Sequence, residues 1–234
     1  MTASEVEAKR IRAEYERRER EIGREFYALT SPPNLFTRHG QERALLRGLT
    51  RAQALPLGDK QILEVGCGRG QWFGVLEDFG ARRECLSGID LDPGRIAEAR
   101  QRYPGADLRA GDATRLPWDS GTFDVVLQST VFSSILDPEV RRAVAAEMAR
   151  VVRPTGVIVW YDLRYGNPRN PNVQGIGAGE IRELFGSFTV ELESVTLATP
   201  LARKLVPRSW LVATVLERMS VLNTHYLGVI RLRR

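Results

Sequence analysis

The chain has 234 residues, of which 43% are hydrophobic, 27% charged and 8% aromatic. That size and apolar content suit one large α/β domain and exclude collagen-like, low-complexity and wholly disordered chains. The two cysteines, Cys67 and Cys85, cannot build a disulfide framework or a four-cysteine zinc site. The net charge of +5 invites a nucleic-acid reading until it is divided by position. Residues 201–234 hold seven basic residues against Glu217 alone, so residues 1–200 sum to −1. Only Lys9, Lys60 and Lys204 are lysine, a bias that reflects genome composition rather than phosphate binding. No apolar run approaches the roughly 18 residues of a membrane span, and the charged N-terminus is unlike a signal peptide. A cytoplasmic protein is expected.

Residues 5–28 alternate acids and bases, with pairs such as Glu14–Arg18 and Glu16–Arg20 at the spacing of an exposed helix. Thr30-Ser31-Pro32-Pro33-Asn34 should stop it, and a second helix is expected over 38–54. From Lys60 the rhythm becomes strand–helix alternation. Strands are expected at 62–65, 85–89, 123–127 and 157–161, with helices at 71–79, 93–103 and 138–152. This order predicts crossover units and a mostly parallel sheet covered on both faces. Asp92-Pro93 and Asp137-Pro138 each join an N-cap acid to a proline at the first helical position. An Asn/Pro/Gly-rich stretch then runs from 163 to 179, too long for a plain connector. A helix at 180–185, a strand at 188–197, an apolar helix near 209–222 and a strand at 225–232 close the chain.

Ile62 to Gly70 reads ILEVGCGRG, a strand running into a glycine turn. Gly66, Gly68 and Gly70 allow a sharp bend and close approach of a ligand. A dinucleotide fingerprint would place its third glycine where this chain has Gln71. Asp90 ends the second strand, where a carboxylate can accept both hydroxyls of a ribose lying over the turn. Asp92 reads as an N-cap only. Asp112 follows the third strand, where an adenine amino group would arrive.

With these pieces in register, the sequence resembles the class I S-adenosylmethionine-dependent methyltransferases, particularly their UbiE/Coq5-like branch. The resemblance spans about residues 60–163 through ILEVGCGRG, GIDLDP, GDATRLPW, GTFDVVLQSTVF and EMARVVRPTGVIV. It implies a Rossmann-like seven-stranded, mostly parallel sheet with helices on both faces, an antiparallel last strand and an N-terminal helical cap. Residues 1–57 would form the cap. Residues 58–234 would form the methyltransferase domain, with a loop at 163–179 and a helical insertion at 200–222.

The resemblance puts Glu64 near the methionine amino group and the Gly66–Gly70 turn beneath methionine and ribose. Asp90 would hold the ribose, Leu91 would lie against the adenine, and Asp112 and Ala113 would meet its edge. Gln128 would lie beside the methionine. Cys67 matches the usual loop cysteine, a small buried side chain, whereas Arg69 departs from the usual threonine, serine or asparagine. The implied reaction is in-line methyl transfer from S-adenosylmethionine to oxygen or nitrogen of a small molecule, without metal, releasing S-adenosylhomocysteine. Arg38 is a candidate partner for the methionine carboxylate, and His39 a candidate base. Tyr161, Asp162 and Tyr165, at and after the fifth strand, are candidates to orient or deprotonate the acceptor. Arg164 and Arg169 are candidates to meet an anionic group, and His225 reads as structural.

Three alternatives stay open, one of them a cofactor-binding protein that has lost methylation. The pI near 9.5 suggests an RNA-modifying enzyme, against which stand the neutral first 200 residues. The segment Leu205–Leu222 suggests a peripheral-membrane enzyme with a lipid or quinone acceptor and a weak membrane-surface contact, because apolar residues with Trp210 are flanked by bases. Its bland reading is core packing or a homodimer face.

Overall fold

The computed structural model describes residues 2–23, 26, 28–166 and 170–233. Arg169 therefore lies outside the described residues. The chain runs α1 (Ala3–Ile22), α2 (Pro32–Arg51), β1 (Ile62–Val65), α3 (Phe73–Asp78), β2 (Leu86–Asp90), α4 (Pro93–Arg102) and β3 (Asp107–Ala110). It continues with β4 (Phe123–Ser129), α5 (Pro138–Val151), β5 (Val152–Leu163), α6 (Ala178–Leu184), β6 (Phe188–Leu197), α7 (Thr199–Leu205), α8 (Trp210–Glu217) and β7 (Asn223–Leu232).

The seven strands form one sheet in the order β3-β2-β1-β4-β5-β7-β6. Neighbours from β3 to β5 pair in parallel, and β7 pairs antiparallel with both β5 and β6. Strand side chains alternate between two apolar layers. Ile62, Val125, Leu127, Val157 and Val159 join Leu45 and Leu49 of α2, Leu76 of α3 and Ile96 of α4. Leu63, Val65, Val126, Ile158 and Trp160 join Val144 and Met148 of α5 and Ile181 of α6. Every β1 and β2 residue is buried, which is why these strands read as short unbroken apolar runs.

The caps form as the sequence indicates. Asp92 Oδ1 accepts from the Gly94 and Arg95 amides, and Asp137 Oδ1 from those of Glu139 and Val140. Two expectations are corrected near the N-terminus. Pro32 and Pro33 begin α2 instead of separating two helices, because proline lacks only an N–H that a first turn leaves unpaired. α2 therefore starts six residues early. The helical insertion expected at 200–222 is divided: α7 comes first, and the apolar segment after it makes only two turns of helix before a 3-10 turn at Ser220–Leu222.

That segment packs on one side only: Val206 and Ala213 are buried, and Leu205, Leu216 and Leu222 lie against their cluster. Within α8 only Ala213 is buried, while Leu211 is 74% exposed and Val212 and Val215 are exposed beside it. The inner edge of α8 rests on Phe36, whose ring meets Trp210 edge-on at 5.2 Å. Among the described residues no helix is long and apolar enough to cross a membrane.

Candidate functional site

The carboxyl ends of β1, β2 and β3 open beneath the N-terminal half of α1, where the sheet's strand order reverses between β1 and β4. This is the position at which open parallel sheets bind ligands. A cavity of about 250 Å3 lies there.

Its floor is the turn after β1. The Gly66 and Cys67 amides donate to Ile89 O at 2.8 and 3.0 Å, folding the turn against β2. Gly66, Gly68 and Gly70 all have positive φ, at 71°, 53° and 73°. A Cβ on Gly66 would stand 2.3 Å from Val131 Cγ2, and one on Gly70 would stand 2.7 Å from the Tyr103 ring. Only glycine meets both conditions. Cys67 is buried with its Sγ packed toward Gly88, and burial pushes its thiol far up, so it is no nucleophile.

Two acids flank this turn. Glu64 is fully enclosed, and its Oε2 has no hydrogen-bond partner. Burial raises its carboxyl well above the usual range, with the Asp90 charge adding to this and Arg38 opposing it. An ammonium group would supply the missing donor and counter-charge. Asp90 Oδ2 accepts from Gly68 N at 2.9 Å and Oδ1 from Asp92 N at 3.0 Å. Both oxygens are thereby fixed toward the cavity with lone pairs to spare for a diol. Burial raises its pKa against these two bonds. Asp112 Oδ1 accepts from Thr114 N at 2.8 Å, and its Oδ2 accepts from the Ser4 hydroxyl of α1. Leu91 and Ala113 complete that end of the wall. An orphaned buried acceptor, a glycine cradle and a pinned carboxylate therefore fit the amino, backbone-contacting and ribose parts of S-adenosylmethionine.

Of the expected cofactor residues, Glu64, Gly66, Cys67, Gly68, Asp90, Leu91, Asp112 and Ala113 line this cavity. Gly70, Arg38 and Gln128 do not. Gly70 supports the turn from beneath. Gln128 is fully buried, its Oε1 accepting from Val131 N at 3.1 Å, so it holds the turn after β4. Arg38 lies across the cavity's edge, its guanidinium 4.5 Å from the Trp72 ring and bonded to Gln71 O at 2.8 Å.

Residues that sequence reading missed come mainly from α1. Ser4, Ala8, Ile11 and Tyr15 line the cavity, with Arg95 stacked 4.2 Å from the Tyr15 ring. The signal was present: they are small or apolar residues spaced 4, 3 and 4 apart, one face of a helix whose other positions are mostly charged. Arg69 ties this helix down, bonding to Glu19 of α1 at 2.7 Å and Glu98 of α4 at 2.8 Å. Thr130, at the end of β4, also lines the cavity and holds φ at 58°, a strained value for a β-branched residue.

The expected catalytic residues lie elsewhere. His39 is exposed on α2, its ring 6.3 Å from that of Trp210, because the early start of α2 moves it off the helix end. Asp162 is fully buried and accepts from the amides of Phe132, Ser133 and Leu163. It clamps the turn after β4 to β5. Burial raises its pKa to about 6. Tyr165 is 54% exposed beneath the Arg164 guanidinium. Arg164 itself bonds to Ser194 and Ser220 O, so it holds the loop in place. The described part of the 163–179 loop folds back onto the β4–α5 turn, where Gln174 N donates to Ser133 O and Ile176 is fully buried. None of its described residues lines the cofactor cavity.

Tyr161 is buried beside a second cavity of about 530 Å3, which shares Gln71 with the first. Its hydroxyl bonds to Gln41 Nε2 at 2.9 Å and to Thr196 Oγ1 at 2.8 Å, and its ring stacks on His225 at 4.7 Å. Gln41, Thr196 and His225 all line this second cavity. Burial pushes the Tyr161 phenol well up, so it serves as a hydrogen-bonding group and not as a phenolate.

Fold and cavity together resemble those of class I S-adenosylmethionine-dependent methyltransferases. The comparisons agree, since the Methyltransferase domain family model matches residues 62–156, from β1 into β5. Phthiotriol/phenolphthiotriol dimycocerosates methyltransferase of Mycobacterium tuberculosis is 37% identical over 135 residues, covering 57% of this chain and 48% of that protein. A probable S-adenosylmethionine-dependent methyltransferase of Mycolicibacterium smegmatis is 31% identical over 142 residues, covering 57% and 53%. The chain thus spans about half the length of the curated relatives it matches. Among solved structures, a SAM-dependent methyltransferase from Archaeoglobus fulgidus superposes with TM-score 0.57 at 17% identity, over 85% of this chain and 98% of that one. A putative sarcosine dimethylglycine methyltransferase from Galdieria sulphuraria gives 0.59 at 15% identity, over 81% and 84%. These last two likenesses concern the fold.

Proposed function

We propose that this chain transfers the methyl group of S-adenosylmethionine to an oxygen or nitrogen of a small-molecule acceptor. The observation that carries this reading is the pairing of the orphaned Glu64 Oε2 with the pinned Asp90 carboxylate across one glycine turn. The five motifs, in order, support a place in the UbiE/Coq5-like branch.

When bound, the cofactor supplies a sulfonium methyl: an acceptor lone pair forms the new bond to carbon, and the carbon–sulfur electrons stay on the sulfur of S-adenosylhomocysteine. The acceptor's proton leaves to water. The chain's part is positioning. Glu64 receives the ammonium end, Asp90 receives the ribose hydroxyls, and Asp112 with Ala113 borders the base. Ile11 and Tyr15 of α1 close the cavity from above and exclude water. Titration calorimetry with S-adenosylmethionine, followed by an adenosylhomocysteine-release assay over an acceptor panel, tests the reading. Absence of cofactor binding by the folded chain would refute it.

A second reading, a peripheral enzyme with a lipid acceptor, has one specific observation in its favour. Leu211, Val212 and Val215 form an exposed apolar stripe on α8, followed by exposed Met219 and Val221. Lys204, Arg208 and Arg218 are exposed around it, and none pairs with a carboxylate among the described residues. A relative named for a lipid acceptor, phthiotriol, agrees with this. Anionic surfaces attract such a face, whereas a two-fold copy would set like charges together. Flotation with phosphatidylglycerol vesicles, compared with phosphatidylcholine alone, decides it. Binding lost in Leu211→Asp/Val215→Asp supports a lipid surface, and absence of wild-type binding ends the idea.

A further inference from the structure

The second cavity differs in kind from the first. It lies at the carboxyl end of β5 and the facing ends of β6 and β7, beyond the methionine end of the cofactor cavity. Three guanidinium groups line it, from Arg38, Arg102 and Arg203, and no carboxylate does among the described residues. These residues come from α2, α4 and α7, so the cluster is made by the fold.

Of the three charges, Arg38 is paired with Glu42 and the other two meet no carboxylate among the described residues. Arg38 is 17% exposed, with Nε on Glu42 and one terminal nitrogen on Gln71 O. Its other terminal nitrogen has no partner among the described residues. Arg102 pairs with no described carboxylate, and among the described residues Arg203 meets the Phe26 ring, at 4.3 Å. His225 adds no charge, since burial lowers its pKa to about 4 and leaves it neutral near pH 7. A concave surface with two cations that no described carboxylate pairs, and a third at its boundary shared with Glu42, concentrates anions.

Behind the arginines stands a neutral, rigid floor. Tyr161, fixed by Gln41 and Thr196, backs the His225 ring. Thr196 holds φ at 69° and falls between the β6–β7 pairs Val195–His225 and Leu197–Asn223. The register is the same on both sides of it, so Thr196 is a strained, unpaired position in an otherwise continuous ladder, with its hydroxyl on Tyr161. Gln71 lines both cavities, and Trp72, under Arg38, lines the first. The two chambers are neighbours.

We propose that the second cavity is the acceptor site and that it selects acceptors bearing a carboxylate or phosphate, held by Arg102 and Arg203 with Arg38 at the boundary. The acceptor role rests on the methyltransferase reading; the anion preference does not. Calorimetric titration of the full chain saturated with S-adenosylhomocysteine, using phenyl phosphate, benzoate and benzyl alcohol as probes, tests it. At least one acid is expected to bind and benzyl alcohol is not, and the better acid distinguishes phosphate from carboxylate. Arg102→Ala/Arg203→Ala should weaken the acid at least about tenfold while adenosylhomocysteine affinity is unchanged. Equal binding of benzyl alcohol, binding of neither acid, or an unchanged acid affinity in the double variant would overturn the proposal. Acid binding without adenosylhomocysteine binding would keep the anion site and remove its role in methyl transfer.

Discussion

The two cavities at the carboxyl edge of the sheet have opposite electrostatic characters. The first is walled by Glu7, Glu64, Asp90 and Asp112, and its two arginines, Arg69 and Arg95, are themselves tied to Glu19. The second has, among the described residues, three arginines and no acid. A cationic donor and an anionic acceptor would thus each find its counter-charge, with Arg38 at the shared wall between them. The difference teaches that a nearly neutral chain segment can still hold strongly polarised chambers, provided the charges are sorted by face.

This contrast can be broken from either side. The largest effect is expected from Gly66→Ala, which adds strain at φ +71° and drives a Cβ into Val131. It should cost about 2 to 4 kcal/mol of stability in denaturant titration and abolish cofactor binding. Next is the pH dependence of Asp162. Its folded pKa, about 6, lies above its unfolded value near 3.8, so its buried proton favours the fold at low pH. As pH rises from about 4 to 6, wild type should lose up to about 3 kcal/mol relative to Asp162→Asn, and the gap should stay constant above that. A gap that does not change with pH would place the titration elsewhere.

Asp90→Asn follows in size. Loss of one charge-assisted acceptor should raise the dissociation constant of S-adenosylmethionine about tenfold to a hundredfold, measured by calorimetry. Phenyl phosphate binding should be untouched. If both fall together, the chambers are not separable. The smallest effect is expected from Glu19→Gln, which frees Arg69 from α1. The ion pair is partly exposed, so the loss should stay under about 1 kcal/mol in cofactor affinity.

Local chemistry was readable where it repeats over a few residues. ILEVGCGRG and Asp92-Pro93 announced a turn and a helix start, because backbone constraints act between neighbours. Tyr161 shows where such reading stopped. Its place at a strand end marked it as facing the acceptor, yet alternation turned it into the sheet's apolar layer, with only its hydroxyl reaching Thr196 and Gln41. Asp162 and Gln128 were absorbed in the same way, their oxygens taken by amides of the turn after β4. The loop at 163–179 looked functional by composition, but its buried Ile176 draws it back onto the core.

The sequence by itself therefore determined the cofactor half: strand, glycine turn and carboxylates lie within 50 residues, and parallel pairing sets their ends side by side. Only the tertiary structure decided the other half. Arg38, Arg102 and Arg203 stand far apart along the chain, and no spacing rule connects them. They meet because α2, α4 and α7 each bury an apolar face against the sheet or the α8 layer, which leaves their long cationic side chains to reach the one concavity between them.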